Sequence, residues 1–223
     1  MVSLLPNYKH IVNPKLKHIH LGFDGNGDLI IKSPKVSTKH IEQILIKKAK
    51  WIQGSRIKIQ NKKGRQLDFF NDNHLYYLGE RYTLELIPHL LQKTRLEFDG
   101  TAFTLFYHSF DPLLFQIHID RFYAEKTKEI LPSIVNEWST EMQLIPSAIK
   151  FRKTKRQWGS CSQKNIISFN TMAAKLPLNV IHYLVVHELA HIRHKHHKRS
   201  FWELVAHHLP DYKTHIGELK TYI

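Results

Sequence analysis

The chain has 223 residues, enough for one large domain or two small ones, with 42% hydrophobic and 23% charged residues, as is usual in soluble globular proteins. Cys161 is the only cysteine, which excludes an internal disulfide, and no stretch approaches the roughly 20 unbroken apolar residues that cross a bilayer. The first residues show no pattern typical of a signal peptide, so we expect a cytoplasmic protein.

The formal net charge is +14, from 33 basic and 19 acidic residues, and the chain has 17 histidines. Such a charge can attract nucleic acid or an anionic membrane surface. The lysines are spread along the chain rather than gathered in one arm or helix face. Nucleic acid is therefore a possible partner without support from a motif, and a membrane partner is not expected.

The first half of the chain is predicted to be rich in β-structure. Three pairs of short apolar or alternating segments each flank a turn that contains glycine. The first pair is 16–21 and 28–31, around the turn at 24–27. The other pairs are 74–78 and 81–87 around Gly79-Glu80, and 95–98 and 103–107 around Asp99-Gly100. One amphipathic helix interrupts these strands over 38–52. Ser37 or Thr38 can cap it, and Gly54 is predicted to end it.

The second half is predicted to be mainly helical. Apolar spacing from Phe122 to Met142 indicates a long helix, which Pro132 either kinks or divides. A short β-hairpin follows, with strands at 157–161 and 166–169, and from Pro177 the chain is helical again. The predicted fold class is α+β, with a β-rich domain over 1–115 and a mainly helical domain over 116–223.

The stretch His187-Glu188-Leu189-Ala190-His191 carries the strongest chemical signal. Residues four apart lie on one face of a helix, about 6 Å apart along its axis, so both imidazoles can reach one metal ion while Glu188 points at the ion's water. The apolar residues 183–186 before the motif indicate that its helix is buried. A catalytic zinc usually has a third protein ligand and one position open for water.

Candidates for the third ligand are the later histidines and glutamates, namely His194, His196, His197, Glu203 and Glu218. On an unbroken helix His194 would be about 10 Å from His187 along the axis, which is too far. Ser200 and Glu203 form the pattern of a capping box that opens another helix, which Pro210 would end. The loop between the helices contains His196 and His197, and spacing alone does not choose between them.

These residues resemble the YgjP-like zinc metallopeptidases, which are related to SprT-like proteases. The resemblance is detailed over about 150–212. It includes the His-Glu-Leu-Ala-His stretch, His197, Phe201-Trp202, 210–212, the Trp-Gly-Ser-Cys stretch at 158–161, Asn170 and Leu176-Pro177. It implies a zincin-like second half, one Zn²⁺ ion held by His187, His191 and His197, and Glu188 as general base. The family usually has Asn-His-Ser around the third ligand, where this chain has His196-His197-Lys198.

The resulting hypothesis is a zinc-dependent hydrolase of peptide bonds, with a peptide or protein as substrate. Arg156, His207 and Tyr212 are candidates to stabilise the developing oxyanion, and the sequence favours none of them. One alternative is a metal-dependent nucleotide hydrolase that uses Arg152 and Arg156 on phosphates. Another is a basic, nucleic-acid-associated metal-binding module. Cys161 could be a nucleophile, but no orienting partner is identifiable.

Overall fold

The computed structural model describes residues 6, 8–23, 29–60, 67, 69, 72–91, 93–155 and 157–222, with the side chains of 58–60 left out. Its contacts divide the chain into two compact units, Met1–Gln66 and Leu67–Ile223. This division differs from the boundary predicted near residue 115. The difference arises because the strands between 74 and 107 share a buried cluster with the long helix that follows them.

The first unit is a small sheet with two helices. Its elements are β1 (Tyr8–Val12), β2 (His20–Phe23), β3 (Leu29–Ser33), α1 (Thr38–Lys47) and α2 (Ala49–Gln60). The strand order is β1-β3-β2, with β1 parallel and β2 antiparallel to β3. Its core consists of apolar side chains from β3 and both helices, namely Leu29, Ile31, Ile41, Leu45 and Ile52.

Two details of this unit correct or limit the sequence prediction. Ser37 caps α1 as predicted, because its Oγ accepts a hydrogen bond from the His40 amide. The single helix over 38–52 is instead two helices that meet at Lys48, and Gly54 lies within α2 rather than ending it. A glycine ends a helix when it adopts positive φ, and Gly54 does not. The turn predicted at 24–27 lies outside the described residues.

A four-stranded sheet opens the second unit. It comprises β4 (His74–Tyr77), β5 (Glu80–Pro88), β6 (Arg95–Phe98) and β7 (Ala102–Tyr107), in the order β4-β5-β7-β6. The β4–β5 loop is Leu78-Gly79 rather than Gly79-Glu80, and both residues have positive φ, as a tight hairpin turn requires. The Leu78 amide donates to the Ala174 carbonyl, and a Cβ on Gly79 would lie 2.6 Å from Pro177 Cγ. The hairpin therefore packs closely against the residues around Pro177.

The rest of the unit includes one long α-helix, a three-stranded sheet and three further α-helices. These elements are α3 (Pro112–Met142), β8 (Ala148–Arg152), β9 (Gly159–Cys161), β10 (Ile166–Asn170), α4 (Leu178–Arg193), α5 (Arg199–His208) and α6 (Tyr212–Leu219). Pro132 lies inside α3 without dividing it. The sheet order is β8-β10-β9, which includes the predicted β9–β10 hairpin and a parallel β8 that the sequence did not indicate.

The predicted capping box at the start of α5 is wrong. The helix begins at Arg199 after Lys198, which makes no side-chain cap, so Ser200 already lies inside it. Glu203 Oε1 instead accepts from Arg199 Nε at 2.7 Å, one turn earlier on the same helix. The α+β class is confirmed, with strands in the first half and mostly helices in the second. In the part of the chain that the structure describes, no helix combines the length and hydropathy of a membrane span.

Candidate metal centre

Helix α4 positions three of the four predicted site residues. Its buried side is lined by apolar residues, including Val185, Val186 and Leu189, so the helix is fixed within the core. His187 and His191 lie one turn apart on this helix, with ring centroids 5.0 Å apart. Glu188 lies next to His187 and is only 4% exposed. The sequence therefore places a carboxyl group and two imidazoles, which could serve as metal ligands, on a buried element.

Three imidazole rings converge at the end of α4. His197 Nε2 lies 3.0 Å from His191 Nε2 and 3.1 Å from His187 Nε2. Two ligand nitrogens on a tetrahedral zinc, each about 2.0–2.1 Å from the ion, are separated by about 3.3 Å. In the described part of the chain, these three histidines form a group that could hold a metal ion, because one ligand nitrogen from each lies within 4.8 Å of the other two. The geometry fits one divalent cation with an open position.

Contacts on the far side of two of the rings help to determine which nitrogen faces the other rings. His191 Nδ1 lies 2.8 Å from the His194 carbonyl, which can only accept, so Nδ1 carries the proton and Nε2 presents its lone pair. His187 Nδ1 lies 3.1 Å from the Tyr183 hydroxyl, one turn earlier on α4. Burial, with His191 and His197 adding to it, lowers the pKa of His187 to about 3. The ring is therefore neutral near pH 7, as a metal ligand must be.

The loop between α4 and α5 brings in His197 and not His196. The His197 carbonyl accepts a hydrogen bond from Trp202 Nε1 at 3.1 Å, and the two rings stack. Phe201 is fully buried and packs against all three converging imidazoles, with centroid distances of 4.5–5.0 Å. His196 Nδ1 instead accepts from the Lys198 amide. The start of α5 therefore fixes the position of the third ring.

The carboxyl group of Glu188 occupies a cramped site beside β9. Its Oε2 atom is buried without a hydrogen-bond partner, and burial raises the pKa of Glu188 to about 8. A Cβ on Gly159 would lie 2.4 Å from Glu188 Oε1 and 2.7 Å from its Cγ and Cδ. Real Cβ atoms essentially never come this close, so the glycine leaves the space that the carboxyl group fills.

Lys195 links the loop that carries His197 to the β9–β10 hairpin. Its Nζ donates to the Ser162 carbonyl at 2.8 Å and to Asn165 Oδ1 at 2.7 Å, and it lies 3.4 Å from Cys161 Sγ. Asn165 adopts positive φ in that turn, a conformation that asparagine tolerates. Burial raises the pKa of the Cys161 thiol, which is the opposite of the activation that a cysteine nucleophile needs.

The remaining candidates from the sequence are placed differently. Tyr212 stacks on Trp202, which stacks on His197, so Tyr212 lies near the converging rings. His207 is exposed and packs against His208. Arg152 Nη2 lies 3.4 Å from Ser160 Oγ, and Arg156 is outside the described residues.

Sequence reasoning missed the supporting residues Tyr183, Gly159 and Lys195. Tyr183 had a readable signal, because it precedes His187 by four residues and so shares its helix face. Gly159 was recognised only as part of the Trp-Gly-Ser-Cys stretch. Its contact with Glu188 and the contacts of Lys195 join segments about 30 residues apart, and no local pattern indicates them.

Comparison with known proteins points to one family. A family model described as YgjP-like, metallopeptidase domain, matches residues 17–222. Two solved structures are more distantly similar, and both are metallopeptidase zymogens. Abylysin of Pyrococcus abyssi has 19% identity and a TM-score of 0.39, with 42% of this chain and 95% of that chain covered. Jannalysin of Methanocaldococcus jannaschii has 21% identity and a TM-score of 0.36, with 42% of this chain and 97% of that chain covered. No curated protein matches the sequence significantly.

Proposed function

The chain belongs to the YgjP-like metallopeptidases, and from this premise we propose that it hydrolyses peptide bonds with one zinc ion held by His187, His191 and His197 and with Glu188 as general base. The proposed substrate is a peptide or protein. The observation that carries the proposal is the convergence of three imidazole nitrogens, with Nε2–Nε2 distances of 3.0 and 3.1 Å, beside a buried carboxyl oxygen without a partner.

The chemistry of the donor set supports zinc. Three neutral imidazoles are a ligand set found in catalytic zinc sites, which keep a fourth position for water or substrate. When bound, the ion would supply Lewis acidity, which lowers the pKa of a water to about 7 and polarises a carbonyl group. His191 is held with its proton on Nδ1 by the His194 carbonyl, and Tyr183 contacts His187 Nδ1. Both contacts orient the rings towards a shared centre.

Glu188 is the group that moves protons in this proposal. Burial raises its pKa to about 8, and a cation nearby lowers the pKa of a carboxyl group. The two effects oppose each other, so a bound cation would favour the carboxylate form of Glu188, which can accept a proton from water and later give it to the leaving amine. In this proposal the transfer takes place beside β9, because Glu188 lies next to Gly159.

The outer edge of β9 supports binding of an extended peptide. In the sheet order β8-β10-β9, this strand pairs with β10 on one side, and no other described strand pairs with it. An edge strand presents unpaired amides and carbonyls to which a substrate can add as another strand. Because Gly159 on β9 touches Glu188, a peptide on this edge would pass next to the carboxyl group.

Neither alternative gains a specific observation from the described residues. Arg152, proposed for phosphate binding, contacts Ser160. Side chains alternate along a strand, so Ser160 points to the face of β9 opposite to Gly159 and therefore away from Glu188. The metal-binding module predicts the same imidazole cluster and differs only in lacking turnover.

Metal analysis tests the ligand set. We expect about one zinc per chain in the wild type and in His196→Ala, and near-complete loss in His187→Ala and His197→Ala, because a catalytic zinc site needs three protein ligands. His196→Ala is the matched control, since it removes a neighbouring imidazole that does not face the other rings. Equal metal content in all four proteins would refute the proposed site.

Peptide cleavage tests the general base. Glu188→Gln keeps the size of the side chain and removes its ability to take a proton, so zinc content should stay unchanged while kcat falls about 10²–10⁴-fold. Cleavage of a quenched fluorescent peptide library, with zinc measured on the same samples, reports both quantities. A Glu188→Gln variant that cleaves at the wild-type rate would rule out this role.

A further inference from the structure

The acidic residues are distributed more unevenly along the chain than the basic residues are. Residues 142–202, which contain all four proposed site residues, hold eleven lysines and arginines and a single acidic residue, Glu188. This segment supplies +10 of the net charge of +14, although it is little more than a quarter of the chain. Glu188 is buried, so it does little to offset the charge of the segment's surface. The asymmetry results mainly from missing acidic residues.

Three exposed lysines of this segment lie in the loop that carries His197 or in the β9–β10 turn that this loop contacts, and we refer to Lys164, Lys195 and Lys198 as the cationic rim. Lys198 directly follows His197. Lys195 is anchored at the last residue of β9, with its Nζ 3.4 Å from Cys161 Sγ. Lys164 lies in the β9–β10 turn, next to the Asn165 side chain that Lys195 contacts.

The charge of the rim is not neutralised by the protein. The closest partners of Lys195 Nζ are a carbonyl, an amide oxygen and a thiol, all uncharged in the thiol form that burial favours. In the described part of the chain, no carboxylate lies within ion-pair distance of the three rim lysines. By contrast, Lys153 pairs with Asp120 and Arg199 with Glu203.

We propose that the cationic rim selects acidic peptide segments as substrates, with a carboxylate side chain of the substrate bound near the Cys161 end of β9. This inference rests on the proposed function and adds the substrate class to it. A peptide that pairs with the edge of β9 presents alternate side chains along the strand, and those that extend past Cys161 come within reach of Lys195 and Lys164. Acidic side chains gain there, and basic side chains are repelled.

An acidic peptide fits the rim better than a nucleic acid does. Lys195 and Lys164 lie at the end of one short strand and Lys198 is three residues from Lys195 in the sequence, whereas nucleic-acid binding uses cations that follow a phosphate backbone over many nucleotides. Lysine is a compact point charge that can meet a single carboxylate, and bidentate phosphate recognition more often uses arginine. Binding to single-stranded DNA is therefore measured as a competing outcome.

Cleavage-site profiling tests the proposal on the active enzyme. Zinc-loaded wild type is incubated with a peptide library derived from a whole proteome, and cleavage sites are read by mass spectrometry. We expect Asp and Glu to be enriched, and Lys and Arg depleted, at fixed positions on one side of the cleaved bond. Synthetic versions of one cleaved sequence then carry either acidic or basic residues beside the cleaved bond. At low salt, kcat/KM should be about tenfold higher for the acidic version than for the basic one. The difference should be much smaller at 1 M NaCl, where the Debye length is about 3 Å.

Charge reversal tests whether the rim lysines cause the preference for acidic peptides. Lys164→Glu should reduce the acidic-to-basic preference about threefold to tenfold, because it replaces attraction by repulsion at the rim. Lys128→Glu is the matched control, since Lys128 is exposed on α3, outside the 142–202 segment, and the variant undergoes the same change in net charge. The control should keep the wild-type preference. Equal loss in both variants would overturn the rim as the cause.

A binding measurement separates this inference from the proposed function. Fluorescence anisotropy of the zinc-loaded Glu188→Gln variant compares labelled acidic, neutral and basic 12-residue peptides with a 12-nucleotide single-stranded DNA. Tightest binding of the acidic peptide supports the inference even if the wild type shows no cleavage, a result that would refute only the proposed function. Cleavage without acidic preference, or tighter binding of the DNA than of the acidic peptide, overturns the inference alone.

Discussion

Replacing Gly159 by alanine should remove activity while leaving the metal site intact. The added Cβ would lie 2.4 Å from Glu188 Oε1, whereas ordinary contact begins near 3.4 Å, so the carboxyl group must move by about 1 Å. A displacement of about 1 Å from the productive geometry can lower a rate about 10²-fold, equivalent to about 2.7 kcal/mol of transition-state stabilisation. If Glu188 does not move, the overpacked site should instead destabilise the fold by about 1–3 kcal/mol.

The assay compares kcat/KM, zinc content and urea unfolding in Gly159→Ala, wild type and Gly217→Ala. Gly217 is the matched control, because a Cβ there meets no atom within 4 Å and its φ is not positive. The control should match wild type in all three measurements or gain slightly in stability. A Gly159→Ala protein with wild-type turnover and stability would show that the glycine does not form the boundary of the Glu188 site.

Four further outcomes follow from individual contacts. Tyr183→Phe should weaken zinc binding about 10–100-fold in chelator competition, because it removes the hydroxyl beside His187 Nδ1. Lys195→Met should lower the free energy of unfolding in urea by about 1 kcal/mol, through loss of its bonds to the hairpin. Glu203→Ala should change that free energy by less than about 0.5 kcal/mol, because its partner is an exposed arginine rather than a helix end. In the metal-free protein, burial raises the pKa of Glu188 to about 8 from 4.5, so the folded state binds this proton more tightly than the unfolded chain. The free energy of unfolding should therefore fall by up to about 2 kcal/mol between about pH 6.5 and 8 in wild type, and not in Glu188→Gln.

Much of the candidate site could be predicted from the sequence because its chemistry follows local rules. Helix periodicity places His187 and His191 on one face, and an apolar run buries that helix. The choice of His197 over His196 came only from the family resemblance. The geometry that favours His197 depends on Trp202 and Phe201, which fix the loop from the following helix. Spacing carries no information about such contacts.

Predictions that depended on a single residue type were less reliable. Gly54 was expected to end a helix and lies within one, because glycine in a helix costs only about 1 kcal/mol and packing can outweigh it. Ser200 and Glu203 matched a capping box, but α5 starts two residues earlier than that pattern requires, and Glu203 pairs with Arg199. The parallel pairing of β8 with β10 joins distant segments, and strand periodicity within β8 does not indicate its partner. Pairing with a distant segment decided the outcome for β8, and a small shift of the helix start decided it for α5.

The site combines two arrangements that folding alone disfavours. The Nε2 atoms of His187 and His191 lie 3.1 and 3.0 Å from His197 Nε2, which has at most one proton to donate, and the Glu188 carboxyl is buried with an unpartnered oxygen. Among buried side-chain oxygens of the described residues, only Ser139 Oγ shares that condition, and it is a neutral hydroxyl, whereas burial of Glu188 disfavours its carboxylate form. Departures from good packing are expected at functional positions, where a ligand compensates for them. A divalent cation between the rings would satisfy the nitrogens and favour the carboxylate at once, so one metal ion accounts for both costs.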